Sequence, residues 1–352
     1  MTRRARRTRR RLLVVVVLAL AFVAGAIVLS RSPAPATTTS TSTSHPRVTT
    51  TTVAPERAQP FWAVVSHSAR GVMVDYRNVV AGGVTFRALR LRARTTFLRW
   101  HVGAGDPLRW ASVPKDAGPS IDWPVEGPAG VVAVFNGAFK QAAGAGGSMV
   151  DGLVLSPLVR GDASLALDAY GHWAIGTWGS RAFPPRGFTA TTVRQNLVLL
   201  VANARPTPAA LHAPWKFWGD PLHEVPPEPR SGLGVDAAGN LIYVATMGHV
   251  LAPDLARAMV AAGIVTGMEL DINPFWPILG APFAPLHHPG PYSVQLPLAQ
   301  HDPTIYNTGW ERDFFVALAE PGRWGCDWRA PGLHAPLGTA QPQRPRRVGP
   351  GC

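Results

Sequence analysis

The sequence predicts an α+β fold, mixed and strand-rich, with few helices. Three observations carry that reading. Short runs of β-branched and aromatic residues recur between Gly- and Pro-rich turns along most of the chain. Helical spacing is clear in one segment only, where Leu255, Ala258, Met259 and Ala262 follow Pro253. Finally, Arg230 to Pro277 reads as strand, helix and strand, and its last strand ends on an acid, Asp271. Many strands against one helix fit α+β better than a doubly wound parallel sheet. The chain has 352 residues and is 46% hydrophobic, enough for a substantial core and too apolar for disorder throughout.

At the N-terminus, residues 1–11 form a basic segment with seven arginines, and Leu12 to Leu29 follow without a charge. At ~1.5 Å per residue such a helix is roughly 27 Å long, near the thickness of a hydrocarbon core. Residues 12–29 are therefore read as a transmembrane signal-anchor, with the arginines cytoplasmic and the remainder extracytoplasmic. Ala24-Gly25-Ala26 offers the alternative of a cleaved signal peptide and a secreted protein. Residues 30–60 are a Thr/Ser/Pro-rich linker, a composition that cannot bury enough surface to fold.

The formal charge of +13 does not mark a nucleic-acid binder. Eight arginines in residues 1–31 and three in 341–352 account for eleven of those charges, leaving +2 for the rest. That is no electrostatic footprint for nucleic acid on a folded body.

The folded domain is expected over 61–320. Trp62 to Val65, Val72 to Tyr76 and Val84 to Leu91 read as strands, and 103–130 as a Gly- and Pro-rich loop. Val131 to Phe135 is a continuous apolar run, the pattern of a buried strand, leading into the turn Asn136 to Lys140. Leu165 to Gly176 and Leu233 to Val244 each read as a β-hairpin in which an Asp, Asp168 or Asp236, opens the turn and a Gly closes it. Between them, Val193 to Val201 reads as one strand carrying Arg194, Gln195 and Asn196, and 205–230 as a Pro-rich loop. Asn240 to Thr246 is a strand, Pro253 sits in the first turn of the helix, and Gly263 ends it. Ile264 to Leu270 is the strand that delivers Asp271 and Asn273 to its end. Residues 321–352 are a Pro/Gly/Arg-rich tail, in which Cys326 and Cys352 can either pair or stay free.

Over about residues 130–320 the chain resembles a known family. Phe135-Asn-Gly-Ala-Phe139 is similar to its N-G-G-F turn, and Gly147-Ser-Met-Val-Asp151-Gly152 to its G-x-x-x-D/N-G hairpin. Arg230-Ser-Gly-Leu-Gly-Val-Asp236 is similar to its R-T-A-I-G-x-D strand, and the run into Glu269-Leu-Asp271 to its A-L-N-L-D-G-G-G-S-S element. The family is the phosphodiester glycosidases. A closer likeness is to an actinobacterial-type envelope branch with N-G-x-F-K, R-Q-N-L, E-L-D-I-N-P and R-D-F-F, matching Asn136 to Lys140, Arg194 to Leu197, Glu269 to Pro274 and Arg312 to Phe315. This sequence departs from the wider pattern after Asp271, where Ile-Asn-Pro-Phe-Trp-Pro replaces the glycines and serines.

The resemblance implies an exported hydrolase that cleaves a sugar-1-phosphodiester or a related cell-envelope glycan, without a cofactor. The alternative is a catalytically inactive glycan-binding or scaffold protein. Such cleavage needs cations for the phosphate, a carboxyl for acid or base work and donors that fix the sugar. Asp271, Arg230 and Asn136 are the expected catalytic residues. Lys140, Arg194, Gln195, Asn196, Glu269, Asn273 and Trp276 are expected to line the substrate site, with Glu269 sharing Asp271's face because residues two apart on a strand do so. Arg230 paired with Asp271, and Asn136 capping a turn, are the structural readings of the same residues. No metal site is expected: His287-His288 and His301-Asp302 match no trusted ligand spacing.

Overall fold

The computed structural model describes residues 60–105, 120–220 and 224–321. The expected transmembrane segment, most of the linker and both cysteines lie outside these residues, and among the described residues no helix is long and apolar enough to cross a membrane.

The chain opens with β1 (Ala63–Ser68), β2 (Gly71–Ala81), β3 (Val84–Leu91) and β4 (Phe97–His101), then α1 (Trp123–Ala129) and β5 (Val131–Asn136). Next come β6 (Ser148–Val150), β7 (Leu153–Ser156), β8 (Ala163–Leu167), β9 (Trp173–Thr177), β10 (Thr192–Gln195), β11 (Leu199–Ala202), β12 (Arg205–Pro206) and α2 (Pro208–His212). The last part holds β13 (Glu228–Asp236), β14 (Leu241–Val250), α3 (Ala252–Ala261), β15 (Ile264–Ile272), β16 (Leu279–Ala281), β17 (Val294–Gln295) and β18 (Phe314–Leu318). The architecture is strand-rich with few helices.

Three antiparallel sheets result. The largest runs β1-β2-β3-β14-β13-β15-β11-β12, the second β7-β6-β10-β8-β9, and the third β17-β16-β5-β18-β4. One core joins them, with Leu233, Tyr243, Met268 and Leu270 from the first sheet packed among Leu165 and Ile175 of the second and Phe135 and Phe315 of the third. The opposite face of the large sheet is covered by α3, whose Leu255, Ala258 and Met259 are fully buried among Ile242, Val244 and Ile264. Helical spacing in the sequence thus marks the stripe that docks on the sheet. Asp254 accepts from the Leu251 amide at the start of α3, and Gly263 takes a positive φ just past its end.

Both hairpins form through the chemistry read from their turns. The carboxylates of Asp168 and Asp236 accept the amides of Tyr170 and Ala238, two residues on, and Gly171 and Gly239 have positive φ. Two readings need correction. Val193 to Val201 is two strands in two sheets, β10 and β11, because the chain turns at Leu197, which has a positive φ. The segments read wholly as loop contain α1 and α2, each too short for helical periodicity to register and each started by a proline in its first turn.

Candidate active site

The site is set by an irregularity in β15. Arg230 of β13 pairs with Ile272, and Gly232 pairs with Glu269, so two steps on β13 face three on β15. This is a β-bulge, and one extra residue inverts the alternation of side chains beyond it. Glu269 shares the face of Gly232, where a Cβ on Gly232 would meet Met259 of α3. Asp271 turns to the other face, toward the core between the sheets. The expectation that Glu269 and Asp271 share a face is therefore wrong, for this reason.

On the α3 side, Arg230 and Glu269 form a buried ion pair at 2.6 Å. Arg230 also donates to the carbonyls of Val250 and Trp218, so its fork is consumed by the protein. Burial pushes the Glu269 carboxyl up to about 7, against the pull of Arg230. Asn196 donates to the Glu269 carbonyl. Gln195 accepts from the amides of Gly147 and Val159 and donates to Ser164, fixing a loop. Arg230, Glu269, Asn196 and Gln195 thus make structural contacts, and Glu269 meets Asp271 only through the charge that adds to the rise of its carboxyl.

On the other face the turn Asn136 to Lys140 is the hub. Asp271 donates its amide to the Gly137 carbonyl, Arg312 donates to the Ala138 carbonyl, and Arg194 donates to the Phe139 carbonyl at 2.6 Å. Asp313 receives Arg194 at 2.8 Å, the Trp100 indole at 2.9 Å and the Ala138 amide. A Cβ on Gly137 would lie 2.3 Å from the Asp313 carboxylate, which is why that position needs glycine. Asn136 accepts from the Tyr243 hydroxyl and the Ile278 amide and donates to Ser231, whose own hydroxyl donates to the Asp271 carbonyl. Asn136 therefore braces the strand that carries Asp271.

Asp271 itself pairs with Arg312, and its second oxygen accepts the Ile272 amide. Burial pushes its carboxyl up to about 6; Arg312 opposes the rise, and the nearby Asp313 adds to it. The run Arg312 to Phe315 matches a family-like motif, yet neither Arg312 nor Asp313 is among the residues expected in the site. A charged dipeptide directly before the apolar strand Phe314–Leu318 was the available signal.

Above this pair lies a partly exposed layer. Trp276 has the Arg312 guanidinium 4.9 Å and the Lys140 ammonium 5.4 Å from its ring centre. Phe275, Trp310 and His301 continue the cluster, with His301 5.1 Å from Trp310. Asn273 holds a positive φ and accepts the Phe275 amide, which turns the chain so that Phe275 is exposed. Asp271 and Trp276 are thus joined by Arg312, and Lys140 by Trp276, while the Asn273 side chain is used in its own turn. Among the described residues no group of three or more His, Cys, Asp or Glu side chains is arranged to hold a metal ion.

No protein-family model matches the chain, and no curated protein matches it in sequence. Its backbone is similar to the catalytic domain of zebrafish N-acetylglucosamine-1-phosphodiester alpha-N-acetylglucosaminidase, auto-inhibited by its pro-peptide, at 11% identity and a TM-score of 0.44, over 74% of this chain and 88% of that one. A hypothetical protein from Synechocystis is similar at 10% identity and 0.42, over 70% and 62%. A putative exported protein from Burkholderia pseudomallei is similar at 12% and 0.37, over 70% and 75%. At these identities and scores no activity or site residue transfers to this chain.

Proposed function

We propose that the chain is a hydrolase of glycosyl phosphodiesters or a related envelope glycan, exported and held at the membrane by Leu12 to Leu29. The observation that carries this is the Asp271 carboxyl, raised to about 6 and paired with Arg312 under the Trp276 ring and the Lys140 ammonium. The order of the family-like motifs supports the same reading. A carboxyl near 6 can hold a proton in mildly acidic solution and deliver it to the oxygen that leaves with the phosphate as the C1–O bond breaks, while a water adds to C1 and its proton passes to the carboxylate that remains or to solvent. A phosphodiester arriving at Lys140 competes for the Arg312 guanidinium. As Arg312 shifts toward the phosphate, Asp271 loses its cation and its affinity for a proton rises, so substrate binding readies the acid. The indole face of Trp276 packs against the sugar. The expected result is release of free sugar from one member of a panel of sugar-1-phosphodiesters, lost in Asp271→Asn. No turnover across the panel, or full turnover by Asp271→Asn, overturns the reading.

One observation favours the alternative, a glycan-binding protein without turnover: both Asp271 oxygens are already occupied, by Arg312 and by the Ile272 amide. Saturable binding of the same compounds without sugar release would select it.

A further inference from the structure

Four aromatic rings form a closed circuit beside the Asp271–Arg312 pair. Measured between ring centres, Phe275 lies 6.3 Å from Trp276, Trp276 6.4 Å from Trp310, Trp310 5.1 Å from His301, and His301 6.4 Å from Phe275. Two loops build it. The positive φ of Asn273 turns Phe275 and Trp276 outward after β15. His301 precedes the 3-10 helix Pro303–Asn307, whose start Asp302 caps by accepting the Thr304 amide, and Gly309, with a positive φ, brings Trp310 back to His301. Phe275 is exposed, and the other three rings are partly so.

These rings keep both their faces and their polar edges for a ligand. Trp100, Trp123, Trp173 and Trp218 each donate the indole N–H to a protein oxygen. Trp276 and Trp310 donate theirs to none among the described residues, and neither ring nitrogen of His301 has a hydrogen-bond partner there. A fitting ligand therefore presents C–H surface and hydroxyl groups together, which is the chemistry of a sugar. A quaternary ammonium would leave the ring N–H groups unused, and Lys140 and Arg312, both near the Trp276 ring, would repel it. Neighbouring ring planes are inclined by between 43° and 67°, which does not suit a flat nucleic-acid base sandwiched between parallel faces. Asp302 is exposed next to His301 and disfavours an acidic sugar at that end.

We propose that Phe275, Trp276, Trp310 and His301 bind a neutral oligosaccharide, so that the ligand is a chain of at least two sugars. The first sugar packs on Trp276, a point that rests on the proposed function. Phe275 and Trp310 are each inclined by 60° to the Trp276 plane, so their faces meet a further unit and not the first one.

Calorimetric titration of the full-length chain, in a detergent without sugar, tests this. The probes are cellotetraose, maltotetraose, mannotetraose and chitotetraose, each beside its own monosaccharide, together with choline. One tetrasaccharide should bind at least about tenfold more tightly than its monosaccharide. Phe275→Ala and Trp310→Ala should each weaken that binding about tenfold. Phe275 is 42% exposed, so its replacement keeps the test sound even where loss of Trp310 disturbs the fold. Tyr170→Ala removes an exposed ring beside Gly171, which accepts the Leu98 amide at the end of the β4–β18 pair away from Arg312, and should change the affinity by less than about twofold. Binding needs no turnover, so failure of the hydrolase reading leaves this result standing, whereas sugar release from single-sugar phosphodiesters with no gain for chains overturns this inference alone. It is also overturned if no tetrasaccharide outbinds its monosaccharide, if Phe275→Ala and Tyr170→Ala weaken binding equally, or if choline binds more tightly than every tetrasaccharide.

Discussion

Glu269 and Asp271 lie two residues apart on β15 and on opposite faces of the sheet, because the strand carries one extra residue between its pairings with Gly232 and Arg230. Each carboxyl consequently has its own arginine, Arg230 on the α3 side and Arg312 on the side between the sheets. The Arg230 pair is sealed by carbonyls, whereas the Arg312 pair lies under the partly exposed Trp276. The bulge thus divides one acidic strand end between two buried ion pairs, of which only the second borders a partly exposed aromatic layer.

The Arg230–Glu269 pair should be visible in the pH dependence of stability. The folded Glu269 carboxyl is raised from its ordinary 4.5 to about 7 by burial. The folded state then holds a proton that the unfolded chain releases, so this stability is complete below about 4.5 and is lost as pH rises through about 7. Glu269→Gln removes that titration. Measured by urea unfolding between pH 5 and 7, wild type should lose roughly 1 kcal/mol per pH unit relative to the variant. Parallel curves for the two proteins would contradict the assignment.

The Asp271–Arg312 pair makes a different prediction. Arg312→Met leaves a buried carboxylate without its cation, which costs about 3–5 kcal/mol. Replacing both partners by apolar residues, as in Asp271→Leu with Arg312→Met, should recover most of that loss, because no uncompensated charge remains. A double-mutant cycle by denaturant unfolding checks it, and strictly additive losses would mean that the two side chains do not interact in solution.

Gly137 tests the hub. A methyl group there meets the Asp313 carboxylate, which Arg194 and Trp100 hold in place, so Gly137→Ala should destabilise by about 1–3 kcal/mol. Gly290→Ala meets nothing nearer than 3.8 Å and should stay within about 0.5 kcal/mol of wild type. Equal melting temperatures for the two variants would show that the turn yields.

What the sequence made legible was whatever depends on local spacing. The α3 stripe, the Asp-opened hairpin turns and the buried run Val131 to Phe135 each follow from period or turn chemistry, and each forms. Asp271 and the turn at Asn136 stand out in the sequence because each ends an apolar run, and the structure joins them through the Asp271 amide and the Gly137 carbonyl. The bulge was not legible, since nothing in Glu269-Leu-Asp271 announces which residue β13 will skip. For the same reason Arg230, expected in the catalytic site, faces away from Asp271, and Arg194, expected to line the substrate site, is occupied by Asp313. Pairing of charges across sheets depends on long-range register, which one sequence does not contain.

The last prediction concerns activity. If Asp271 delivers a proton, kcat/KM on a responsive sugar-1-phosphodiester should fall as pH rises above about 6, the value to which burial lifts its carboxyl. The sign follows from the role: the protonated acid is the active form, and raising pH removes it. Under the proposed function Trp276→Ala should keep that inflection but raise KM, because the indole's proposed role is to pack against the sugar and it takes no proton. Lys140→Gln should also raise KM, by roughly tenfold for a lost charge-assisted contact. Lys140 is exposed, so its replacement should leave the melting temperature unchanged and separate binding from folding. An inflection near 6 that survives in Asp271→Asn would assign the proton to another group and remove Asp271 from the acid role.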